Sequence, residues 1–249
     1  MSADFKKGLT AYESEDYATA LHEWEPLAEQ GVAGVQSILG NMYANGQGVP
    51  QNDKTAVKWW KLAAEQGYAD AQLNLGLMYG RGLGVTQNNK IAVKWLKLAA
   101  EQGHAHAQLF LGSMYRKGDG VPQNYKTAIK WYTLAAEQYH PFAQYNLGWM
   151  SHFGKGVSQN YKTAVKWYRL AAEQGDARAQ NSLGVMYATG NGVIQDNVFA
   201  HMWWNIVATS GGKTATRNRD KVAQEMTPSQ LEKAKDLARK CVRKKYKGC

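Results

Sequence analysis

Long apolar runs are missing from this 249-residue chain, and so is the apolar stretch that would mark a secretory signal peptide at its start. A membrane-spanning helix needs about 20 largely apolar residues in a row, and a signal peptide needs an apolar core near the N-terminus. Taken literally, the sequence predicts a cytoplasmic protein without a transmembrane segment. A protein whose signal peptide had been removed would have the same sequence and would be periplasmic or secreted.

Cysteine is scarce, with only Cys241 and Cys249 present. Their separation of eight residues is too wide for a CxxC metal or redox pair. Two free thiols in a reducing compartment are one interpretation, and a disulfide that closes the tail onto its helix is the other. We favour the disulfide, because two cysteines at one end and none elsewhere suggest a staple. A disulfide would indicate an oxidising compartment.

Motifs for catalysis or metal binding are also missing. The six histidines do not form HExxH or another ligand spacing on one helix face, and His104 and His106 are two residues apart, so they point away from each other on a helix. The chain has no phosphate-binding glycine motif and no Gly-x-Ser-x-Gly elbow. The sequence therefore predicts a protein that is not an enzyme, with no metal, no cofactor and no small-molecule substrate.

The most informative positive feature is a 36-residue period. Five copies follow one another without an insertion or deletion, which indicates a stacked repeat rather than a globular enzyme fold. The recurring residues are Trp59, Trp95, Trp131, Trp167 and Trp203; Gly40, Gly76, Gly112, Gly148 and Gly184; and an Ala-Glu-Gln that starts at Ala28, Ala64, Ala100, Ala136 and Ala172.

Each repeat is predicted to be a helical hairpin. In residues 68–103, apolar residues at helical spacing predict helix A, Gly76 is expected to let a neighbouring helix approach closely, and Asn88 is a candidate N-cap of helix B. Trp95 is expected to face inward. One hairpin cannot cover its own apolar face, so the sequence predicts an all-α, right-handed α-solenoid of stacked antiparallel helix pairs.

Three segments follow from the limits of the repeat. Residues 1–30 are predicted to be an N-terminal capping helix pair, residues 31–210 the five repeats, and residues 211–249 a basic C-terminal cap in which Thr227 caps a helix that begins at Pro228. Residues 213–249 hold 12 Lys and Arg against 4 Asp and Glu. We interpret this charge as a solvated cap; a contact for an acidic partner, lipid headgroups or nucleic acid is the alternative.

The full pattern A-E-Q-G-x-A-x-A-Q-x-x-L-G-x-M-Y-x-x-G-x-G-V-x-Q-N-x-x-x-A-x-x-W-x-x-L-A resembles the Sel-one-like repeat family, a branch of the tetratricopeptide-like helical repeats. The resemblance covers residues 28–208. Repeat four departs from it at residues 139–142 and at Ser151. Many bacterial relatives carry a similar tail and a signal peptide, so the resemblance raises the expectation of a bacterial, periplasmic or secreted protein.

The resemblance also implies that helix A lines a concave groove. Three series of helix A residues that the repeat leaves variable would then face a partner, with aromatic residues beside Arg and Lys as expected of interface hot spots. The candidate partner-binding residues are Asn74, Leu77, Arg81, Phe110, Ser113, Arg116, Lys117, Asn146, Trp149, His152 and Phe153. Trp149 and Phe153 are predicted to form one cluster with Arg81 and Lys117.

Helix B carries a second pattern, a stripe of basic residues predicted to lie along the convex side. We interpret it as a solvated face with i,i+4 ion pairs. Nucleic-acid binding is disfavoured, because stacking aromatics are missing from that face. The stripe comprises Lys54, Lys58, Lys61, Lys90, Lys94, Lys97, Lys126, Lys130, Lys162, Lys166 and Arg169.

The predicted function is a non-catalytic scaffold that binds a protein or peptide in its groove. The alternative is an immunity or inhibitor protein that neutralises a secreted bacterial effector, a role that the resemblance implies for some relatives. A hydrolase comes last, because no residue supports it. The partner's identity and the oligomeric state do not follow from the sequence.

Overall fold

The computed structural model describes residues 4–249, and this part of the chain is all-α. It divides into two compact units, a first unit that ends at Asn124 and a second unit Tyr125–Cys249. Helix A begins at residues 33, 69, 105, 141 and 177 in successive repeats, so the predicted stack of helix pairs with a 36-residue period is confirmed. No helix in residues 4–249 has the length and apolar character needed to span a membrane.

The first unit contains α1 Phe5–Glu13, α2 Tyr17–Glu29, α3 Ala33–Asn45, α4 Asp53–Glu65, α5 Ala69–Arg81, α6 Asn89–Glu101 and α7 Ala105–Lys117. The second unit contains α8 Tyr125–Glu137, α9 Pro141–Phe153, α10 Tyr161–Ala172, α11 Ala177–Thr189, α12 Asn197–Thr209, α13 Lys213–Ala223 and α14 Pro228–Arg243.

The helix ends follow the local sequence. The Asn88 side chain accepts a hydrogen bond from the Ile91 backbone N–H and caps α6 as predicted. Thr227 caps α14 within a capping box that includes Gln230, and Pro228 takes the first helical position. In repeat four Tyr139 adopts φ 61° where the other repeats have glycine, so an exposed tyrosine replaces the usual turn residue.

The recurring glycine of helix A allows helix B to pack directly on its backbone. A Cβ atom added to Gly40 would lie 2.5 Å from the Trp60 ring, and one added to Gly76 would lie 2.8 Å from Leu96 Cγ. The expected close approach at Gly76 is therefore confirmed. Gly84 plays a similar part in a loop. Its φ is 67°, and a Cβ added there would lie 2.5 Å from the Asp53 backbone, so there is no space for a side chain.

Trp95 packs against the core as predicted, but it is not the helix B residue that contacts the recurring glycine. Trp95 is half-buried, whereas the next residue, Leu96, is only 2% exposed. Neighbouring residues on a helix point about 100° apart, and it is Leu96 that points at the glycine of its own hairpin. Trp95 packs on a core that α4 of the preceding hairpin shares with α5 of its own, around Trp60 and Leu75. The recurring tryptophan thus joins successive hairpins.

A buried glutamine links each repeat to the one before it. Gln72 is buried and donates from Nε2 to the Ala64 carbonyl, 3.1 Å away, while its Oε1 accepts a hydrogen bond of 2.8 Å from Gln102 Nε2. Both ends of the amide are therefore satisfied, as a buried polar group requires. The carbonyl bond recurs from Gln36 to Ala28, Gln108 to Ala100, Gln144 to Ala136 and Gln180 to Ala172.

The chain ends are also packed. Trp24 of α2 is fully buried against Gly8 of α1, which repeats the glycine contact of the later hairpins. At the other end a disulfide joins Cys241 to Cys249, whose Cα atoms are 5.6 Å apart. Cys241 is buried in the core of the second unit, and Cys249 packs against it. The division into caps and repeats at residues 30 and 210 stays a prediction.

Candidate partner-binding face

The outer sides of the A helices, which we call the helix-A face, carry most of the predicted binding residues. In the first unit five of these residues line one open pocket of about 230 Å³ between α5, α6 and α7. They are Leu77, Arg81, Phe110, Ser113 and Lys117.

Two side chains at this pocket are smaller than their counterparts in the other repeats. Gly80 provides no side chain, and Leu96 provides no ring, at the floor of the pocket. The counterparts of Gly80 are Ala44, Arg116, His152 and Ala188, and the counterparts of Leu96 are Trp24, Trp60, Tyr132, Tyr168 and Trp204. A Cβ added to Gly80 would touch nothing closer than Ala92 Cβ, at 3.7 Å.

The rim of the pocket is polar and mainly basic. The side chains of Arg81 and Lys117 are exposed, and neither has an ion-pair partner within residues 4–124. Asp119 contributes the single carboxylate, and Asn89 and Ser113 contribute neutral hydrogen-bonding groups. The rim can therefore attract an anionic group while the floor accepts an apolar one.

Two other predicted residues of the first unit do not line the pocket. Asn74 Nδ2 donates to Asn41 Oδ1 at 3.1 Å, and the same oxygen accepts a hydrogen bond from Trp60 Nε1 at 3.2 Å. Asn74 thus contributes to packing between successive repeats. Arg116 is half-buried, and its carbonyl accepts a hydrogen bond of 2.8 Å from Gln123 Nε2.

In the second unit the helix-A face is aromatic. The ring of Phe153 lies 5.2 Å from that of Trp149 and is stacked on that of His152 at 4.3 Å. Phe153 is 50% exposed. His152 Nδ1 lies 3.3 Å from the Tyr168 hydroxyl. Burial lowers the pKa of His152 and raises the pKa of Tyr168, so both groups are neutral at pH 7.

Together with Phe142 at the start of α9, the rings of Trp149, His152 and Phe153 form what we call the aromatic stripe. Asn146 donates from Nδ2 to the Phe142 carbonyl at 2.7 Å, and the Arg178 guanidinium lies 4.4 Å from the centre of the Phe142 ring. Sequence reasoning missed Phe142 and Arg178 as part of this face. They are 36 residues apart, and equivalent residues of stacked repeats lie side by side. Comparison of equivalent positions in the sequence could therefore have identified this pair.

The predicted cluster involves both units. Arg81 and Lys117 line the same pocket in the first unit, and the rings of Trp149 and Phe153 are in contact in the second. That the two pairs form one cluster stays a prediction.

A second pocket, of about 270 Å³, lies in the second unit between α11, α12 and α13. Its residues Val185, Ala188 and Trp204 are 108 positions after Leu77, Gly80 and Leu96, which is three whole repeats. Helix α13 supplies the wall that α7 supplies in the first pocket. Although the repeat consensus ends near Ala208, α13 thus occupies the place of a further helix A, which the sequence pattern did not reveal.

The basic residues of helix B are exposed in both units. Lys61 and Glu65 form an i,i+4 pair at 3.8 Å, and Lys97 and Glu101 form another at 3.6 Å. Exposed pairs of this kind stabilise a fold only weakly. Within residues 4–249 no three His, Cys, Asp or Glu side chains come together as a metal site requires.

The stacked helix pairs, with their buried glycines and their variable outer face, define an α-solenoid of the helical-repeat class. More narrowly, the Sel1 repeat model matches residues 35–68, 69–104, 105–140, 141–176 and 177–211. The chain belongs to the Sel1 repeat family.

Solved structures agree with this assignment. A Sel1 repeat protein from Oxalobacter formigenes is 34% identical with a TM-score of 0.83, covering 95% of this chain and 99% of that one. A putative Sel1 repeat protein from Klebsiella pneumoniae is 20% identical with a TM-score of 0.52, covering 81% and 98%. An immunity protein from Pseudomonas aeruginosa is 18% identical with a TM-score of 0.50, covering 90% and 84%. The last two share the fold alone. No curated protein sequence matches the chain significantly.

Proposed function

We propose that this protein is a non-catalytic scaffold that binds a protein or peptide on its helix-A face. The observation that carries the proposal is the aromatic stripe of α9, where Phe153 is half-exposed although a polar residue takes its place in every other repeat. Those polar counterparts are Asn45, Arg81, Lys117 and Thr189. Exposed aromatic residues that adjoin arginine are typical of interface hot spots.

The basic stripe of helix B is the weaker candidate for a binding surface. Its lysines are partly offset by glutamates one turn further along the helix. Single-stranded nucleic acid would need exposed rings between these charges, but Trp59 and Trp95 are half-buried against the cores between successive hairpins. We therefore assign the stripe to solubility and to electrostatic steering of the partner.

The proposed location is the bacterial periplasm or the exterior of the cell. The disulfide between Cys241 and Cys249 supports an oxidising compartment. The Oxalobacter relative and the other matched structures support a bacterial source.

A pull-down from the native host, followed by mass spectrometry, tests the function. The paired change Trp149→Ala and Phe153→Ala should abolish capture of the partner and leave helical content intact. The matched control Lys58→Glu, Lys94→Glu and Lys130→Glu should mainly alter the salt dependence and the association rate. If the control abolished capture and the aromatic change did not, the basic face would be the functional one.

The same experiment separates two forms of the function. A single, tightly held partner that is a bacterial toxin would indicate the immunity role, which the Pseudomonas neighbour carries by name. Several partners, or a partner without toxicity, would indicate a general scaffold. The paired change Trp149→Ala and Arg81→Ala tests in addition whether the two units act on one partner.

A further inference from the structure

We propose that the pocket between α5, α6 and α7 binds one aromatic side chain of a partner peptide whose neighbouring residues are acidic. This inference rests on the proposed function, because it names the chemistry of the partner at one place on the helix-A face.

The first argument is the floor of the pocket. Leu77, Leu96, Phe110 and Met114 supply apolar surface from three helices. The volume of about 230 Å³ lies below the range of roughly 300–1,000 Å³ found for small-molecule sites. A single large side chain is therefore a better match than a whole metabolite.

The second argument is the shape of the missing group. In the preceding repeat the indole of Trp60 lies on Gly40 and reaches Asn41, the counterpart of Leu77. In repeat four the phenol of Tyr168 lies on Gly148 and reaches His152, the counterpart of Gly80. Leu96 ends before it reaches either place. In these two repeats the chain's own rings occupy the space that is open beside Leu96, so an incoming ring would restore their packing. Beside Trp204 and Ala188 a pocket remains although one ring is present, so both positions determine how much space is left.

The third argument is the charge of the rim. Arg81 and Lys117 are exposed at the mouth without ion-pair partners in the first unit, against one carboxylate, Asp119. A carboxylate that follows the buried ring can pair with the guanidinium in two parallel hydrogen bonds. A basic flank would instead meet two like charges. Charge complementarity therefore selects an acidic segment.

Fluorescence polarisation with a defined probe tests the proposal on the full chain. The probe is fluorescein-labelled Gly-Ser-Glu-Asp-Phe-Glu-Asp-Ser-Gly, and the two comparison peptides carry alanine in place of phenylalanine or lysine in place of every acidic residue. We expect the probe to bind more tightly than either comparison peptide. Equal binding of all three, or no binding of the probe, overturns the proposal.

Filling the pocket is the decisive variant. The double change Leu96→Tyr and Gly80→His introduces the two rings of repeat four, Tyr168 and His152, so it should keep the melting temperature and weaken probe binding about tenfold or more. Lys90→Glu with Lys94→Glu, on the outer side of α6, is the matched control and should bind the aromatic probe far better than the filled variant. If the filled variant does not fold, Ser113→Phe fills the pocket from α7 and gives the same readout. Unchanged probe binding by a folded, filled variant overturns the proposal.

The pocket and the scaffold can fail separately. If the filled variant still captures from host lysate the partner that Trp149→Ala with Phe153→Ala loses, the pocket is not a binding site and the scaffold stands. If neither variant loses the partner, the helix-A face itself is not the binding surface.

Discussion

Three equivalent positions of the repeat carry small side chains in the first unit and aromatic side chains in the second. In the first unit these positions are Gly80, Leu77 and Leu96, which line an open pocket. In the second unit they are His152, Trp149 and Tyr168, whose rings occupy the equivalent place. The backbone arrangement is shared, since Gly76 and Gly148 both accept a helix B side chain directly on the helix. Side-chain volume at three or four variable positions thus decides whether a repeat presents a cavity or an aromatic surface.

The two units should differ most in the unfolding free energy that is lost when the helix B side chain at each site is changed to alanine. Tyr168→Ala should cost about 3–5 kcal/mol of unfolding free energy, as for other buried aromatic residues, and Leu96→Ala should fall near the lower end of about 2–5 kcal/mol. The smaller loss is expected because Leu96 already borders a pocket, so fewer contacts disappear. Urea unfolding measures both. If Leu96→Ala lost as much unfolding free energy as Tyr168→Ala, the two sites would be packed alike. Trp95→Ala is also expected to cost less than Tyr168→Ala, because Trp95 is only half-buried.

Glycine substitutions should shift stability in opposite directions. Gly148→Ala places a Cβ 2.6 Å from the Tyr168 ring, so overpacking should cost about 1–3 kcal/mol. The added Cβ of Gly80→Ala makes an ordinary contact with Ala92 Cβ at 3.7 Å, so this change should gain about 0.4–1 kcal/mol, because alanine reduces the freedom of the unfolded chain. Thermal melts of the two variants check the signs. Destabilisation by Gly80→Ala would contradict the open pocket.

Reduction of the disulfide should affect only the second unit. The disulfide Cys241–Cys249 ties the tail to the core of the second unit, and a loop this short stabilises by no more than about 2.5 kcal/mol through chain entropy. Cys249→Ser should therefore increase hydrogen exchange at the end of α14 and leave α3–α6 unchanged. Mass spectrometry of the unreduced native protein should show two hydrogens missing, and labelling of both thiols would refute the disulfide.

Acidification should have the smallest effect, again in the second unit. Burial lowers the pKa of His152 and of His201 below the usual 6.5. Protonation then favours the unfolded chain, so stability is present above pH 6.5 and is lost as the pH falls through the lowered values. His152→Gln with His201→Gln should reduce the loss of melting temperature between pH 7 and 5 by about 1–3 °C. His22→Gln, at an exposed site, is the control and should leave that loss unchanged.

Recurrence made the fold predictable. Gly76 and Asn88 could be assigned because each appears in several copies, and a position that recurs is one that the stack requires. The contact on Gly76 could not be assigned, because Trp95 and Leu96 are adjacent apolar residues that share part of one helix face. Periodicity alone does not say which of them points at the glycine. Only the packed neighbours of Leu96 decide this.

The candidate site was harder to predict, because it arises from departures rather than from recurrence. Aligning the repeats did place Leu77 beside Ser113 and Arg81 beside Lys117, as the structure has them. The pocket itself is lined by Leu96 and Gly80, which are smaller than their counterparts, and a consensus pattern does not show how such differences in size change the packing. Phe142 and Arg178 were missed because repeat four was treated as an irregular copy, so its first residues were not compared with those of repeat five.

The buried glutamine of each A helix limits how such a chain can change in evolution. Gln72 donates to a carbonyl of the preceding hairpin and accepts from Gln102 of its own repeat, so it marks the phase of one repeat relative to the next. A single inserted residue would turn the amide by about 100° and leave it buried without partners. Removal of a complete unit, such as residues 69–104, would bring the next glutamine to an equivalent carbonyl. Viable length variants of this protein should therefore differ by multiples of 36 residues, with binding positions gained or lost as whole modules.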